Sequence, residues 1–185
     1  MKGEGLPAPI ASISKLMTAL VAKETFPAET EFIIAPEDLA GVSHHPDLGP
    51  GDRLSLEEAL HLMLIGSDNT VAHAIARTYG RELFVEKLNE KARALRMQST
   101  LFVDSTGIGS NVSTGRDLLR LAQYIFRNHP QIFEISRIPR ISVITSSGRR
   151  LDLKNTNDLV GAVPNLIGGK TGFTELAGGS IILVT

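Results

Sequence analysis

The chain has 185 residues, 42% of them hydrophobic and 21% charged, and carries a net charge of −1 at neutral pH. That length makes one domain, residues 1–185, the default, and the composition is that of a globular chain able to bury a core. The near-neutral charge, with no Lys/Arg cluster, argues against nucleic acid as a partner; no apolar run approaches the roughly eighteen residues of a membrane span, and a chain without cysteine leaves its redox compartment unread.

Met1-Lys2-Gly3-Glu4-Gly5 is followed by no apolar stretch of the signal-peptide kind. Residues 12–24 read as a first helix, closed off before Pro27, and residues 31–34 as a short strand. Residues 36–53, rich in proline and glycine, read as a loop or small excursion. Ser55 with Glu58 three positions on is a capping box that opens an apolar-periodic helix over 56–65, with Gly66 as its stop. Ser67-Asp68-Asn69 leads into a helix over 70–79, and residues 81–97 form the longest helical pattern. Met17, Met63 and Met97 fall at apolar helical positions and read as core filler. A loop over 104–113 precedes a helix capped around Ser113-Thr114 that runs to Arg127.

From Arg140 the hydrophobic period changes from helical to two. Residues 141–145 and 149–153, joined through Ser146-Ser147-Gly148, read as a β-hairpin. A linker rich in Asn, Pro and Gly leads to a strand around Lys170-Thr171-Gly172-Phe173-Thr174, then a turn, then a strand over 180–185 on which the chain closes, so that the sheet reads as cut short. This order predicts an α+β fold, with a helical subdomain packed on an antiparallel sheet.

Three short elements carry chemistry. In Ser12-Ile13-Ser14-Lys15 the hydroxyl and the amine share one helix face at three-residue spacing. Ser12 falls at the helix head, where free N–H groups favour developing negative charge. A serine hydroxyl needs a base, and a desolvated, neutral lysine can supply one. Ser67-Asp68-Asn69 and Lys170-Thr171-Gly172 follow in order, completing the motif triplet of penicillin-binding proteins and class A β-lactamases.

Each piece also has a plainer reading: a solvated serine and surface lysine, a turn between helices, an exposed strand end. Gly168-Gly169-Lys170-Thr171 resembles the close of a phosphate-binding loop, but that pattern needs glycine at position 164, where Pro164 stands, and a helix afterwards. His44, His45, Asp47, His61 and His73 are possible ligands whose spacing does not suit a catalytic zinc, so neither metal nor cofactor is expected.

Around these motifs the chain resembles the low-molecular-mass penicillin-binding proteins, the serine D-Ala-D-Ala carboxypeptidases and their D,D-endopeptidase relatives. The likeness runs through the segments 9–19 and 62–69, Asp104-Ser105-Thr106-Gly107, 113–118, Asn155-Thr156-Asn157 and 169–178. Ser-Asp-Asn and Asn-Thr-Asn lean towards the endopeptidase branch. The resemblance implies a β-lactamase-like fold and an acyl-enzyme on Ser12, formed with Lys15 as base. It implies proton relay through Ser67, with Asn69 holding the substrate amide and orienting Lys15. Lys170 and Thr171 would anchor the substrate carboxylate, and the N–H groups of Ser12 and Phe173 would form the oxyanion hole. Gly172 would leave room for substrate along the strand. Peptidoglycan stem peptides and β-lactams are the implied partners, in the periplasm or elsewhere outside the inner membrane.

A β-lactamase would need a further carboxylate to activate the deacylating water, and the region Phe102–Gly107 has no such pattern beyond Asp104. The family's outer strands have no counterpart at either end, so the resemblance implies a sheet with open edges beside the Lys170 strand. Two classes follow: an active serine D,D-peptidase, or a non-catalytic binding module with the same fold.

Overall fold

The apolar run after Ile10 becomes the buried axis of the molecule. In the computed structural model, which describes residues 5–40, 42 and 45–185, a short strand β1 (Ala8–Pro9) leads into a 3-10 turn over Ala11–Ser14. Helix α1 (Lys15–Thr25) continues from it and is buried from Lys15 through Ala22. Eight consecutive buried positions leave no solvated face, as for a helix wrapped on all sides by others. The reading of Lys15 as a surface lysine fails here, since its exposure is 0%.

Strand β2 (Glu31–Ile33), helix α2 (Pro36–Leu39) and strand β3 (Arg53–Ser55) follow, β2 and β3 pairing antiparallel with Phe32 opposite Leu54. The helix lies inside the stretch read as loop, and β3 begins at that stretch's last residue, Arg53; each is too short to show a period. Helix α3 (Leu56–Ile65) begins at the capping box, where the Glu58 N–H donates to Ser55 Oγ and the Ser55 N–H to Glu58 Oε2. Helices α4 (Asn69–Tyr79) and α5 (Arg81–Ala94) come next, and the pattern expected to reach Met97 stops early because Arg96 takes φ 58°. Phe26, Phe32, Tyr79 and Phe84 meet in edge and stacked contacts that lock the far end of α1 to β2, α4 and α5. Met17, Met63 and Met97 are all buried.

Strand β4 (Val112–Ser113) pairs with β1. Helix α6 (Gly115–Asn128) is capped by Thr114, and α7 (Gln131–Ser136) fills the gap before the strands. The hairpin of β5 (Arg140–Ile144) and β6 (Arg150–Lys154) and that of β7 (Gly168–Thr174) and β8 (Gly178–Val184) complete the chain. The class is α+β, but among the described residues the strands form four separate two-stranded antiparallel ladders instead of one sheet. No helix there is long and apolar enough to cross a membrane. A cavity of about 610 Å³ lies between α6 and β8 and has no ionisable side chain in its wall. Chemistry is concentrated elsewhere.

Candidate active site

Ser12 lies in the 3-10 turn one residue pair ahead of α1, so it stands before the helix head, with Lys15 as the first α-helical residue. The turn keeps the three-residue spacing and brings Lys15 Nζ to 2.8 Å from Ser12 Oγ. Two further partners hold the amine: Asn69 Oδ1 at 2.7 Å and the Thr106 carbonyl at 2.8 Å. Both are pure acceptors. In the neutral amine they take the two N–H bonds and leave the lone pair directed at the Ser12 hydroxyl. Burial, reinforced by the Lys170 cation, lowers the Lys15 pKa to about 7, so the neutral form is well populated near neutral pH.

The second motif is built by a helix junction. Gly66 closes α3 with φ −79°, and the left-handed residue at this junction is Ser67, at φ 58°. Asp68 caps α4 by accepting the Val71 N–H at 3.0 Å, which fixes the start of the helix and sets Asn69, 7% exposed, against Lys15. The left-handed turn at Ser67 aims its hydroxyl across the cleft, where Lys170 Nζ donates to it at 2.9 Å.

Lys170 is 1% exposed and also donates to the Thr171 carbonyl at 3.0 Å; burial lowers its pKa to about 7. Thr171 is half-buried, with its hydroxyl 2.7 Å from that of Thr156. Within the fold itself, Gly172 has a further reason to be small. A Cβ there would lie 2.9 Å from the Ser12 nitrogen, 3.0 Å from Ala11 Cβ and 3.1 Å from the Ile10 carbonyl. The nucleophile turn thus approaches Gly172 from one side, and the residue also lines the cleft. The side chain of Phe173 is 74% exposed at the cleft mouth.

The 104–107 segment carries no task in the sequence motifs, yet it helps to build the site. Asp104 accepts the N–H groups of Thr106 and Gly107 at 2.8 and 2.6 Å and also that of Gly109, winding the loop around one carboxylate. Asn111 ties this loop to the nucleophile turn, donating to Ser14 Oγ at 3.0 Å and to the Asp104 carbonyl at 3.1 Å. The loop delivers the Thr106 carbonyl to Lys15. An Asp two residues before Thr-Gly is an Asx-turn signal that would have marked it. Gly107, at φ 89°, permits the loop to touch the first motif, since a Cβ there would overlap the Ala11 carbonyl at 1.9 Å.

The cleft, about 370 Å³, is lined by Ser12, Ser67, Asn69, Thr156, Thr171 and Gly172, with Ile108 and Phe173 at its rim. None of its lining residues is a carboxylate among the described residues. Of the histidines weighed as metal ligands, His45 accepts the Asp47 N–H at Nδ1 and bonds the Asp152 carbonyl through Nε2. His61 Nδ1 bonds the Glu57 carbonyl, and His44 lies outside the described residues. His45, Asp47, His61 and His73 do not group into a ligand set.

Residues 2–185 match the family described as D-alanyl-D-alanine carboxypeptidase. The chain is 36% identical to a D-alanyl-D-alanine endopeptidase of Haemophilus influenzae, over 95% of this chain and 62% of the relative. It is also 36% identical to one of Pseudomonas aeruginosa, over 96% of this chain and 59% of the relative. It thus spans about three fifths of the length of these curated relatives. Its fold is similar to that of a D-alanyl-D-alanine carboxypeptidase from Mycobacterium tuberculosis, with TM-score 0.87 and 27% identity over 96% of this chain and 69% of the other. It is likewise similar to penicillin-binding protein D2 from Listeria monocytogenes in its ampicillin-bound form, with TM-score 0.82 and 31% identity over 95% and 74%.

Proposed function

We propose that this chain, which belongs to the D-alanyl-D-alanine carboxypeptidase family, is a single serine D,D-peptidase domain acting on peptidoglycan stem peptides. The observation that carries this reading is the Lys15 amine held by Asn69 and Thr106 with its third direction on Ser12 Oγ. Neutral Lys15 takes the Ser12 proton as Oγ attacks the carbonyl carbon of a D-Ala-D-Ala amide. The oxyanion that forms is received by the backbone N–H groups of Ser12 and Phe173. The C–N bond then breaks, and the leaving D-Ala amine gains its proton through the Ser67 hydroxyl, which Lys170 contacts on the other side. An ester on Ser12 results. Lys15, neutral again after the relay, activates the water that hydrolyses it.

Lys170 and Thr171 supply positive potential and a hydroxyl for the substrate's terminal carboxylate. Because Lys170 is almost fully buried behind Ser67, it acts through the field of its charge, while Thr171 makes the contact. β-Lactams, whose strained amide would leave an ester on the same oxygen, are the expected inhibitors, and the cell envelope outside the inner membrane is the proposed location. A fluorescent penicillin should label the wild-type chain and leave Ser12→Ala unlabelled. No Ser12-dependent adduct on folded protein would instead support a non-catalytic binding module.

A second reading, D,D-endopeptidase action on peptidoglycan cross-links, is favoured by the names of the two 36% identical relatives. Release of D-Ala from a linear pentapeptide, compared with cleavage of a cross-linked muropeptide dimer, decides between them.

A further inference from the structure

The loop that follows β6 alternates in direction. Asn155 and Asn157 turn inward and are 6% and 3% exposed, whereas Thr156 between them is exposed to the cleft. Asn155 Nδ2 donates to the carbonyls of Ser136 and Ile138 at 2.8 and 2.9 Å, and its Oδ1 accepts the Asn157 N–H at 2.9 Å. Asn157 Oδ1 accepts the Leu159 N–H at 3.1 Å. The two asparagines therefore hold the loop. Thr156 adds one backbone bond, from its N–H to the Ile65 carbonyl at 3.0 Å, two residues before Ser67. Its side chain reaches out of the loop towards β7, with Oγ1 2.7 Å from Thr171 Oγ1.

A threonine hydroxyl proton rotates to suit its neighbours, so a lone Thr171 would aim its proton into the cleft only part of the time. A donor fixed beside Thr171 Oγ1 occupies one lone pair and turns the Thr171 proton away from itself. We propose that Thr156 is a positioning residue that donates its hydroxyl to Thr171 Oγ1, so that the Thr171 O–H faces the terminal carboxylate of an acyl-D-Ala-D-Ala ligand. This rests on the peptidase reading for the ligand class, and it assigns Thr156 a task that is independent of the acylation chemistry.

Binding separates the two. On the full chain carrying Ser12→Ala, calorimetry is performed with an N-acyl-D-Ala-D-Ala dipeptide and with its C-terminal amide. The free acid should bind the more tightly. Adding Thr156→Val should weaken the acid by about tenfold, the size of one hydrogen bond to a charged group at the low end of its range, and leave the amide unchanged. Thr156→Ser, which keeps the hydroxyl, should restore the acid, and thermal melts should be alike because the asparagines hold the loop. Equal acid affinity in the valine variant, parallel loss of acid and amide, lack of rescue by serine, or no acid preference in the parent would each overturn the proposal. Absence of a penicillin adduct on Ser12 in the otherwise unchanged chain, with the Thr156-dependent acid preference intact, would instead overturn the hydrolase reading alone.

Discussion

Gly172 of β7 runs so close to Ser12 that a methyl group on it would stand 2.9 Å from the Ser12 nitrogen. The strand bearing Lys170 is thus registered against the nucleophile turn by backbone contact. Gly172→Ala should push the two apart. Overpacking of this kind costs about 1–3 kcal/mol, and a shift near 1 Å at the reacting atoms costs on the order of a hundredfold in rate. Penicillin acylation of Gly172→Ala, measured beside its melting curve, should show both. Acylation at the wild-type rate would mean that the contact is not what sets the site.

The rate of Ser12 acylation should rise with pH along a limb centred near 7, because Lys15, with a pKa of about 7, must shed its proton before it can act as base. Burial is the larger cause of that value and the Lys170 cation the next. Lys170→Met removes the second cause only, so the limb should move to higher pH while overall acylation falls. Stopped-flow acylation across pH 5–10 tests this, and an unmoved limb would remove Lys170 from the electrostatics of the base.

Both buried lysines should make stability depend on pH with a definite sign. Their folded pKa values, about 7, lie below the ordinary 10.5, so between those values the unfolded chain binds more protons. Stability then rises with pH through the window from about 7 to 10.5 and is lowest below it. Lys15→Met and Lys170→Met should each flatten this slope, reading as a Tm advantage over wild type near pH 6 that shrinks by pH 10. A constant difference across the window would contradict the depressed values.

Ser67 combines a left-handed backbone with a hydroxyl the cleft uses. A non-glycine residue there costs roughly 1–2 kcal/mol, part of which glycine returns as unfolded-state entropy. Ser67→Gly should therefore be more stable than Ser67→Ala by about 1 kcal/mol in urea unfolding, although both lose the proton relay and should be slowed alike in acylation. Equal stability of the two variants would show that the φ of 58° is not strained.

Much of the local structure was legible because its causes are local. The Ser55–Glu58 capping box, α3, and the β5–β6 hairpin each follow from residues within a few positions of one another. The short elements α2, β3 and α7 were missed since none is long enough to display a period. Thr106 was missed as a partner of Lys15 because a backbone carbonyl leaves no mark in a side-chain motif.

By itself the sequence determined which groups the protein possesses, Ser12, Lys15, Ser67, Asn69 and Lys170, and their order along the chain. Only the tertiary structure decided that the neutral base is well populated near pH 7, since that depends on burying Lys15 under α4 and the 104–109 loop. It also decided that a side chain at Gly172 would crowd the Ser12 backbone. Spacing rules act over one helical turn, whereas desolvation and close backbone approach arise between segments that are distant in sequence and neighbours only after folding.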